Sequence, residues 1–152
     1  MKKLFFILLF VVFVSGCSTD NCAEKEIIAT DNAPAAIGPY SQAVKVGNFL
    51  YLSGQLGINP ARKGLVDGGL AAEARQALAN QQAILKSAGF SLFDVVQCQV
   101  FLRDMEDYAE FNEIYKEFFK SDFPARAVVQ VARLPLDASI EIMMVAAKDK
   151  SL

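Results

Sequence analysis

Apolar and polar positions alternate, or β-branched residues follow one another in short runs, at five places in the chain. In residues 49–56, FLYLSGQL, the alternation puts three leucines on one face of a strand and Phe49 and Tyr51 on the other. The dipeptide Gly47-Asn48 before this run is a signal for a two-residue hairpin turn. The predicted strands are residues 42–46, 49–56, 95–102, 127–133 and 140–147.

Two further segments have the 3.6-residue spacing of helices. In residues 70–88 alanines occupy many of the inward positions, so this helix can lie close to a sheet, and Gly89 follows as its C-terminal cap. The second helix begins after Asp104, a candidate N-cap, and is predicted to run to residue 120 or so. Its apolar stripe is typical of ordinary core and consists of Tyr108, Phe111, Ile114, Tyr115, Phe118 and Phe119.

The elements follow one another as strand, strand, helix, strand, helix, strand, strand. This order predicts an α+β domain, a mixed β-sheet with two helices packed on one face. A hairpin around Pro135 is one way to pair the last two strands, although the sequence leaves their register open. The opposite sheet face carries Tyr51, Val129 and Met143 by alternation, and no predicted element remains to cover it. An uncovered apolar face of this size indicates self-association.

Residues 1–16 have the pattern of a targeting signal and are not counted as part of the fold. Two lysines precede an apolar run from residue 4 to residue 14, which is too short to span a bilayer as a helix. The following VSGC resembles a bacterial lipobox, which implies lipidation of Cys17 and a membrane contact made only through that lipid. Because Ser18 follows instead of an aspartate, the predicted location is the outer membrane, facing the periplasm. The alternative is an ordinary secretory signal.

Residues 17–32 are polar and contain no aromatic residue, which predicts a flexible tether between the lipid and a domain formed by residues 33–152. Cys22 lies in this tether and Cys98 in a predicted strand. A disulfide between them is possible in an oxidising envelope, but nothing in the sequence supports it. Cys98 is more simply a small core residue.

The 152-residue chain has a net charge of −2, so it lacks the basic surface that nucleic-acid binding requires. It contains no histidine, which removes the commonest general base and the commonest zinc ligand. Any chemistry must therefore come from carboxylates, lysine, arginine, hydroxyl groups, backbone groups and water.

The candidate chemistry lies in residues 123–141. Arg126 follows Pro124 at the start of a β-branched run, and its guanidinium can offer a planar pair of donors to a carboxylate. Glu141 lies in the last strand among apolar neighbours. The functional interpretation is that Arg126 binds the carboxylate of a small substrate and Glu141 handles a water molecule. The simpler interpretation is a surface arginine and a glutamate on the solvent face of a half-buried strand.

Five motifs resemble the RidA family, also called YjgF, over residues 33–148. They are GPYSQAV from Gly38, GNFLYLSGQ from Gly47, DVVQCQVFLRDM from Asp94, FNEIY from Phe111 and FPARAVVQVARLPLDASIEI from Phe123. Each motif alone is weak, whereas several in order across one domain are specific. The resemblance implies a chorismate-mutase-like α+β fold, assembly as a homotrimer, and active sites in clefts between subunits.

The resemblance also implies an enamine/imine deaminase that converts 2-aminoacrylate and related 2-imino acids to 2-keto acids and ammonium, without metal or cofactor. On that basis Arg126 binds the substrate carboxylate, Glu141 handles the water, and Tyr40 closes over the substrate. The other positions that match the family's substrate-binding cleft are Asn112, Ser53, Gly54 and Val128.

Two residues depart from the family pattern. Val128 stands where many relatives have a cysteine, and Met143 stands where many have a second glutamate. These departures leave open a non-catalytic trimer that binds small molecules or acts as a chaperone-like module at the cell envelope. Ribonuclease activity, attached to some relatives, is disfavoured by the acidic balance and the lack of histidine. Hydrolysis of amides or carbamates is disfavoured by the retained Arg126 and Glu141.

Overall fold

The computed structural model describes residues 24–149, so the targeting signal, Cys17 and Cys22 lie outside the described residues. The strands are β1 (Lys25–Ile28), β2 (Ala43–Val46), β3 (Phe49–Leu56), β4 (Ile58–Asn59), β5 (Gly64–Leu65), β6 (Val95–Leu102), β7 (Ala125–Gln130) and β8 (Ile140–Ala147). The helices are α1 (Gly69–Ser87) and α2 (Tyr108–Phe118). Within residues 24–149 no helix is both long and apolar enough to cross a bilayer.

Six strands form one mixed sheet in the order β1-β2-β3-β8-β6-β7, and β4 pairs with β5 in a separate small ribbon. Neighbours in the large sheet are antiparallel except β6 and β7, which run parallel. Both helices pack on one face of the sheet and enclose a single apolar core. This architecture confirms the predicted α+β fold with two helices on one face.

Small side chains bring α1 close to the sheet. Ala74 and Ala77 are fully buried, as the helical spacing predicted. The helix ends at a glycine with a φ of 79°, Gly89, which donates to the carbonyl of Lys86 at 3.0 Å while Phe90 donates to that of Leu85 at 2.8 Å. These two bonds make the Schellman ending, which favours glycine because the left-handed conformation is strained for other residues. The predicted cap at Gly89 is therefore confirmed.

A buried glutamine of α1 supports an irregularity in the sheet. The pairing of β3 with β8 shifts between Leu52 and Gln55, which leaves Ser53 and Gly54 in a bulge. Gln81, fully buried, donates its Nε2 protons to the carbonyl of Ser53 at 3.0 Å and to that of Ile142. Backbone carbonyls near the interrupted ladder thus find donors on the helix, as buried carbonyls require.

Two more buried polar side chains of α1 make contacts of the same kind. Asn80 donates to the carbonyls of Leu56 at 3.1 Å and Ile58 at 2.9 Å, just after β3. The carboxylate of Glu73 accepts from the backbone N–H of Ser139 at 2.6 Å and from its hydroxyl at 3.1 Å, just before β8. Helix α1 therefore fixes the position of the two strands on which Gly54 and Glu141 lie.

The predicted flexible tether is wrong in its second half. Residues 25–28 form β1, which pairs with β2 from Lys25 opposite Val46 to Ile28 opposite Ala43, and Ile28 is buried. The folded unit thus begins before the predicted residue 33. The prediction failed because this edge strand alternates weakly and depends on its pairing with β2, which local sequence does not reveal.

The predicted hairpin at Pro135 is also wrong. Strands β7 and β8 lie on opposite sides of β6, with Ala125 opposite Gln97 in one pair and Ile140 opposite Leu102 in the other. Parallel pairing of β6 and β7 requires the crossover through α2, so β7 occupies the edge rather than the position beside β8. A β-rich run that follows a turn gives no indication of which neighbour it will pair with.

Boundaries elsewhere agree or shift by a few residues. Strands β3, β6 and β8 have the predicted bounds, whereas β7 begins and ends earlier than predicted. Asp104 caps a one-turn 3₁₀ segment, accepting from the N–H of Glu106 at 3.0 Å, and this turn leads into α2. Helix α2 ends at Phe118, short of the predicted residue 120.

The sheet face opposite the helices is apolar and uncovered in the described chain. Tyr51 is 50% exposed and Val129 45% exposed on this face, and Met143 and Val145 are half-buried there. The alternation inferred from the sequence is therefore confirmed. A single chain leaves this surface in contact with water, which favours its burial against another copy.

We expect the substitution Tyr51→Lys to weaken self-association, because it places a charge in the centre of the uncovered face. Light scattering coupled to size-exclusion chromatography should give a multiple of the chain mass for the wild type and a lower mass for the variant. Gln82→Lys, on the exposed face of α1, is the matched control and should leave the mass unchanged. A wild type that elutes with the mass of one chain would contradict this expectation.

We expect Gln81→Met to destabilise the fold by about 1–3 kcal/mol, because the carbonyls of Ile142 (buried) and Ser53 (part-buried) lose their donor while the packed volume is kept. Urea unfolding followed by circular dichroism measures the difference. The neighbouring exposed Gln82→Met should change the free energy of unfolding by less than about 0.5 kcal/mol. Equal stability of Gln81→Met and the wild type would show that these hydrogen bonds do not support the bulge.

Candidate active site

Arg126 lies on the edge strand β7, and its side chain is directed toward α2. Strand alternation puts Arg126 and Val128 on the helix side, as for the buried Cys98 opposite Arg126, while Ala127 is on the open side. A cleft of about 600 Å³ opens beside the guanidinium, between α2 and the segment that enters β7. Its lining residues are Ala109, Asn112, Glu113, Tyr115, Lys116, Phe123, Pro124 and Arg126.

The guanidinium of Arg126 is held by aromatic rings and one amide. Its Nη2 donates to Oδ1 of Asn112 at 2.7 Å, and its central carbon lies 4.6 Å from the ring centre of Tyr115. The ring centres of Phe111 and Tyr108 lie at 5.5 and 5.9 Å. Cation–π attraction orders the side chain without neutralising it. Among residues 24–149 no carboxylate forms an ion pair with Arg126, so its charge is available to an anion in the cleft.

Beneath the arginine, Cys98 and Tyr115 form a buried pair. Burial raises the pKa of the Cys98 thiol to about 11, against smaller opposing effects of Tyr115 and Arg126. Burial also raises the pKa of the Tyr115 hydroxyl, and the adjacent Cys98 raises it further. Among the described residues the Tyr115 hydroxyl has no hydrogen-bond partner in good geometry. The polar group beside it is the Cys98 thiol, which is only a weak hydrogen-bonding group. Both groups stay protonated at neutral pH, and Cys98 is the core residue that the sequence indicated.

Glu141 lies on the other face of the sheet, over the bulge of β3. A methyl group on Gly54 would overlap its carboxylate, with the Cδ of Glu141 only 2.8 Å from the added carbon. A side chain at residue 54 would therefore displace the Glu141 carboxylate from its observed position. Desolvation raises the pKa of the half-buried Glu141 carboxyl above its ordinary value.

Ser53 and Tyr40 belong to the same region as Glu141. The hydroxyl of Ser53 donates to the carbonyl of Ser41 at 2.7 Å, and its backbone N–H donates to the carbonyl of Gln42 at 3.0 Å. The segment that contains Tyr40 is thereby tied to the bulge. Tyr40 itself is 50% exposed, and its ring lies close to Gly38, where an added methyl carbon would be 3.3 Å away.

The site residues predicted from the sequence thus form two groups within one chain. Arg126, Asn112 and the backbone of Val128 lie on the helix side, near the β7 edge. Glu141 is opposite Phe101 of β6, whereas Arg126 is opposite Cys98, so the two side chains leave the sheet on opposite faces. Two strand spacings and three residues separate their Cα atoms, a distance of roughly 14 Å. A single chain therefore does not bring the guanidinium and the carboxyl together.

Two functional features were absent from the sequence interpretation. The rings of Tyr108, Phe111 and Tyr115 were interpreted as ordinary core. Phe111 and Tyr115 are buried, whereas Tyr108 is 41% exposed, and all three rings flank the arginine. Gln81 lies at an inward position of the helical spacing in residues 70–88, and a polar residue at such a position is the signal that could have identified it. The described residues contain no cluster of three or more cysteine, aspartate or glutamate side chains placed to hold a metal ion.

Both the leader and the folded part of the chain match known family models. Residues 30–148 match the family model described as Endoribonuclease L-PSP. Residues 1–18 match the model described as a prokaryotic membrane lipoprotein lipid attachment site, which indicates a lipoprotein.

Individual relatives are similar over nearly all of the folded part. The human 2-iminobutanoate/2-iminopropanoate deaminase is 53% identical over 122 residues, covering 80% of this chain and 89% of that protein. A RutC family protein of Pyrococcus horikoshii is 50% identical over 125 residues, covering 82% and 99%. The crystal structure of E. coli TdcF with bound serine is 40% identical, has a TM-score of 0.79, and is matched over 82% of this chain and 99% of that one. By sequence and by fold, this chain belongs to the Endoribonuclease L-PSP family, which includes the RidA/YjgF proteins.

Proposed function

We propose that this protein is a deaminase that hydrolyses 2-imino acids of the 2-aminoacrylate type to 2-keto acids and ammonium, from a lipid anchor in the cell envelope. One observation carries the proposal: the guanidinium of Arg126 is ordered in a cleft and has no carboxylate partner among residues 24–149. A small 2-imino acid supplies such a carboxylate. The deaminase name of the human relative and the serine bound to TdcF support a small amino- or imino-acid ligand.

Arg126 binds the substrate carboxylate through two parallel hydrogen bonds, which fixes the orientation of the imine carbon. Asn112 holds Nη2 from one side and leaves the remaining donors to the substrate. Val128 contributes only backbone groups to binding, because its side chain packs against the core. Tyr40 closes over the bound substrate, and Ser53 and Gly54 form the wall next to Glu141.

Glu141 performs the acid–base chemistry. A protonated imine is already electrophilic, so the carboxylate needs only to accept a proton from water as the water oxygen bonds to C2. Glu141 then passes this proton to the nitrogen of the tetrahedral intermediate. As the C–N bond breaks, the hydroxyl oxygen forms the carbonyl and gives up its proton, by way of Glu141, to the departing ammonia. A 2-keto acid and ammonium are released. A pKa raised by burial suits this role because the group exchanges its proton more readily near neutral pH.

A homotrimer would provide the complete site. Since Arg126 and Glu141 lie on opposite faces of the sheet in one chain, a second copy must supply one of them. The uncovered apolar face carries Glu141, so a copy that buries this face also contributes its carboxyl. In this assembly each cleft combines Arg126 of one subunit with a glutamate from its neighbour.

The proposed location follows from the leader. We propose that Cys17 carries the lipid and that the mature protein faces the periplasm from the outer membrane, since Ser18 follows the cysteine. We propose that the lipid alone anchors the protein, without a transmembrane segment.

A non-catalytic binding module is the second candidate. It is favoured by Met143, which replaces a glutamate of many relatives with an apolar side chain two residues from Glu141 on the same face. The two candidate functions differ in whether the protein turns over its ligand. A module of this kind would bind a keto acid at Arg126 but would not accelerate release of pyruvate from 2-aminoacrylate.

We expect Arg126→Ala to abolish deaminase activity, because it removes about 2–5 kcal/mol of interaction with the substrate carboxylate. The assay generates 2-aminoacrylate with a serine dehydratase and measures how far the protein accelerates pyruvate release. Arg62→Ala, on an exposed loop, is the control and should retain the wild-type rate. Glu141→Gln should lower kcat more than it changes KM.

Mixing the two inactive chains tests the composite site. When Arg126→Ala and Glu141→Gln chains are unfolded together and refolded in equal amounts, about a quarter of the clefts should combine an intact arginine with an intact glutamate. Recovery of roughly that share of activity supports a site between subunits. No recovery, with both variants still assembled, contradicts it. Lack of acceleration by the wild type contradicts the deaminase itself.

We expect Glu141→Gln to stabilise the fold at pH 7 while it removes activity. Burial raises the pKa of this carboxyl in the folded state, so the folded chain disfavours the charged form relative to the unfolded chain. The resulting loss of folding free energy is absent below the ordinary glutamate pKa of about 4.3. It reaches its full size above the raised pKa of the folded state. Urea midpoints measured between pH 4 and pH 7 should therefore diverge as the pH rises, whereas the exposed Glu24→Gln should follow the wild type throughout.

A further inference from the structure

One end of the large sheet is where the chain from the lipid enters the fold. The register places Lys25, Val46, Phe49 and Ala147 in one row across β1, β2, β3 and β8. The start of β6 continues this row, because Val95 lies opposite Ala146. We call this end, with the 3₁₀ turn Leu92–Asp94 that precedes β6, the tether end.

An aromatic side chain projects from the tether end. Phe93 is 84% exposed, although the Leu92 beside it packs against the core. The turn is held by Asp94, whose Oδ2 accepts from the backbone N–H of Ser91 at 2.7 Å and from its hydroxyl at 3.0 Å. Val96, in the bulge at the start of β6, is 46% exposed next to it. A rigid turn therefore presents an apolar tip where nothing in the described chain covers it.

The number of residues between the lipid and the sheet is small. Eight residue steps from Cys17 to Lys25 span at most about 29 Å when fully extended. The tether end must therefore stay within reach of the bilayer surface. This argument rests on the lipid anchor proposed above.

We propose that the tether end docks on the lipid bilayer and that Phe93 is the side chain that enters the membrane interface. Burial of one phenylalanine favours the membrane by only roughly 10- to 100-fold, which is too little to recruit a protein from solution. The lipid removes this requirement, because the short tether makes insertion an intramolecular step with a high effective concentration. A weak apolar contact is then enough to orient the domain.

Charge at the tether end does not account for docking. Lysines and acidic residues are present there in equal numbers: Lys25, Lys45, Lys86, Lys148, Glu24, Glu26, Asp94 and Asp149. The ammonium of Lys148 is already engaged within the domain: it donates to the carbonyl of Gly89 and lies 5.0 Å from the ring centre of Phe90. Because the signs balance, docking should persist in vesicles without anionic lipid.

Docking also sets the position of the arginine cleft. Since β7 runs parallel to β6, its first residues lie at the tether end, with Ala125 opposite Gln97. Phe123 and Pro124, which precede them, line the cleft. One wall of the cleft therefore lies near the tether end, and docking would bring this wall close to the membrane.

The chain contains no tryptophan, so Phe93→Trp introduces a single fluorescent reporter. The lipidated full-length variant is reconstituted into vesicles of phosphatidylethanolamine and phosphatidylglycerol, and into vesicles of phosphatidylcholine alone. Lipids brominated near the headgroup end of the acyl chain then report contact. The matched control is Met105→Trp, in the turn after β6 at the opposite end of the sheet, where the native side chain is 37% exposed.

We expect the Phe93→Trp emission to shift to shorter wavelength and to be quenched several-fold more than that of Met105→Trp in both kinds of vesicle. Equal quenching of the two reporters, or none of either, overturns the proposal. If quenching occurs only in vesicles that contain anionic lipid, docking depends on charge, and apolar insertion of Phe93 is overturned. Hydrogen exchange on the unsubstituted protein gives a second measurement, and slower exchange of residues 91–97 in vesicles than in detergent is expected.

Two further readouts separate this proposal from the function on which it rests. Mass spectrometry of the N-terminal peptide shows whether Cys17 is acylated; an unmodified peptide overturns the anchor and the docking together. With acylation present and Phe93→Trp unquenched, the anchor stands and the docking fails. The pyruvate assay on the same Phe93→Trp sample should give the wild-type rate, and an inactive wild type would count against the deaminase alone.

Discussion

The parallel pairing of β7 with β6 is the constraint on which the proposed function depends. It places Arg126 at the sheet edge, directed to α2, while antiparallel β8 directs Glu141 to the opposite face. Strand alternation then keeps the two groups apart in any one chain. The proposed chemistry needs both groups, so we place it where two copies would meet. In that proposed assembly the apolar face buried between copies also carries the carboxyl.

Helix α1 contributes more than apolar packing. Its buried Glu73, Asn80 and Gln81 supply donors or acceptors to backbone groups next to the bulge, after β3 and before β8. A bulge leaves backbone groups without ladder partners, and a buried group without a partner is costly. The side chains of α1 therefore make the bulge tolerable, and the bulge brings Gly54 against Glu141.

The aromatic side chains around Arg126 likewise have two roles. The rings of α2 close the core beneath the sheet edge and also flank the guanidinium, so the charge is oriented but not neutralised. Cys98 below it is protonated and inert, in keeping with a pKa raised to about 11 by burial. In the proposed site, substrate binding would therefore depend on the guanidinium and on Asn112 rather than on a reactive thiol.

Much of this protein could be predicted from its sequence because many of its signals are local. Alternation in residues 49–56, the glycine after α1 and the aromatic spacing of α2 each depend on residues close in the chain, and each prediction was confirmed. The motifs also identified the family, which residues 30–148 confirm. The assignments of Arg126 and Glu141 to catalysis remain predictions.

The tertiary structure decided what depends on distant partners. Edge strand β1 exists through its pairing with β2, and the place of β7 follows from its pairing with β6. Neither local propensity nor periodicity encodes which strand will be the neighbour, since pairing free energy comes from side chains and ladders far apart in the chain. For the same reason, only the folded sheet reveals that Arg126 and Glu141 lie on opposite faces.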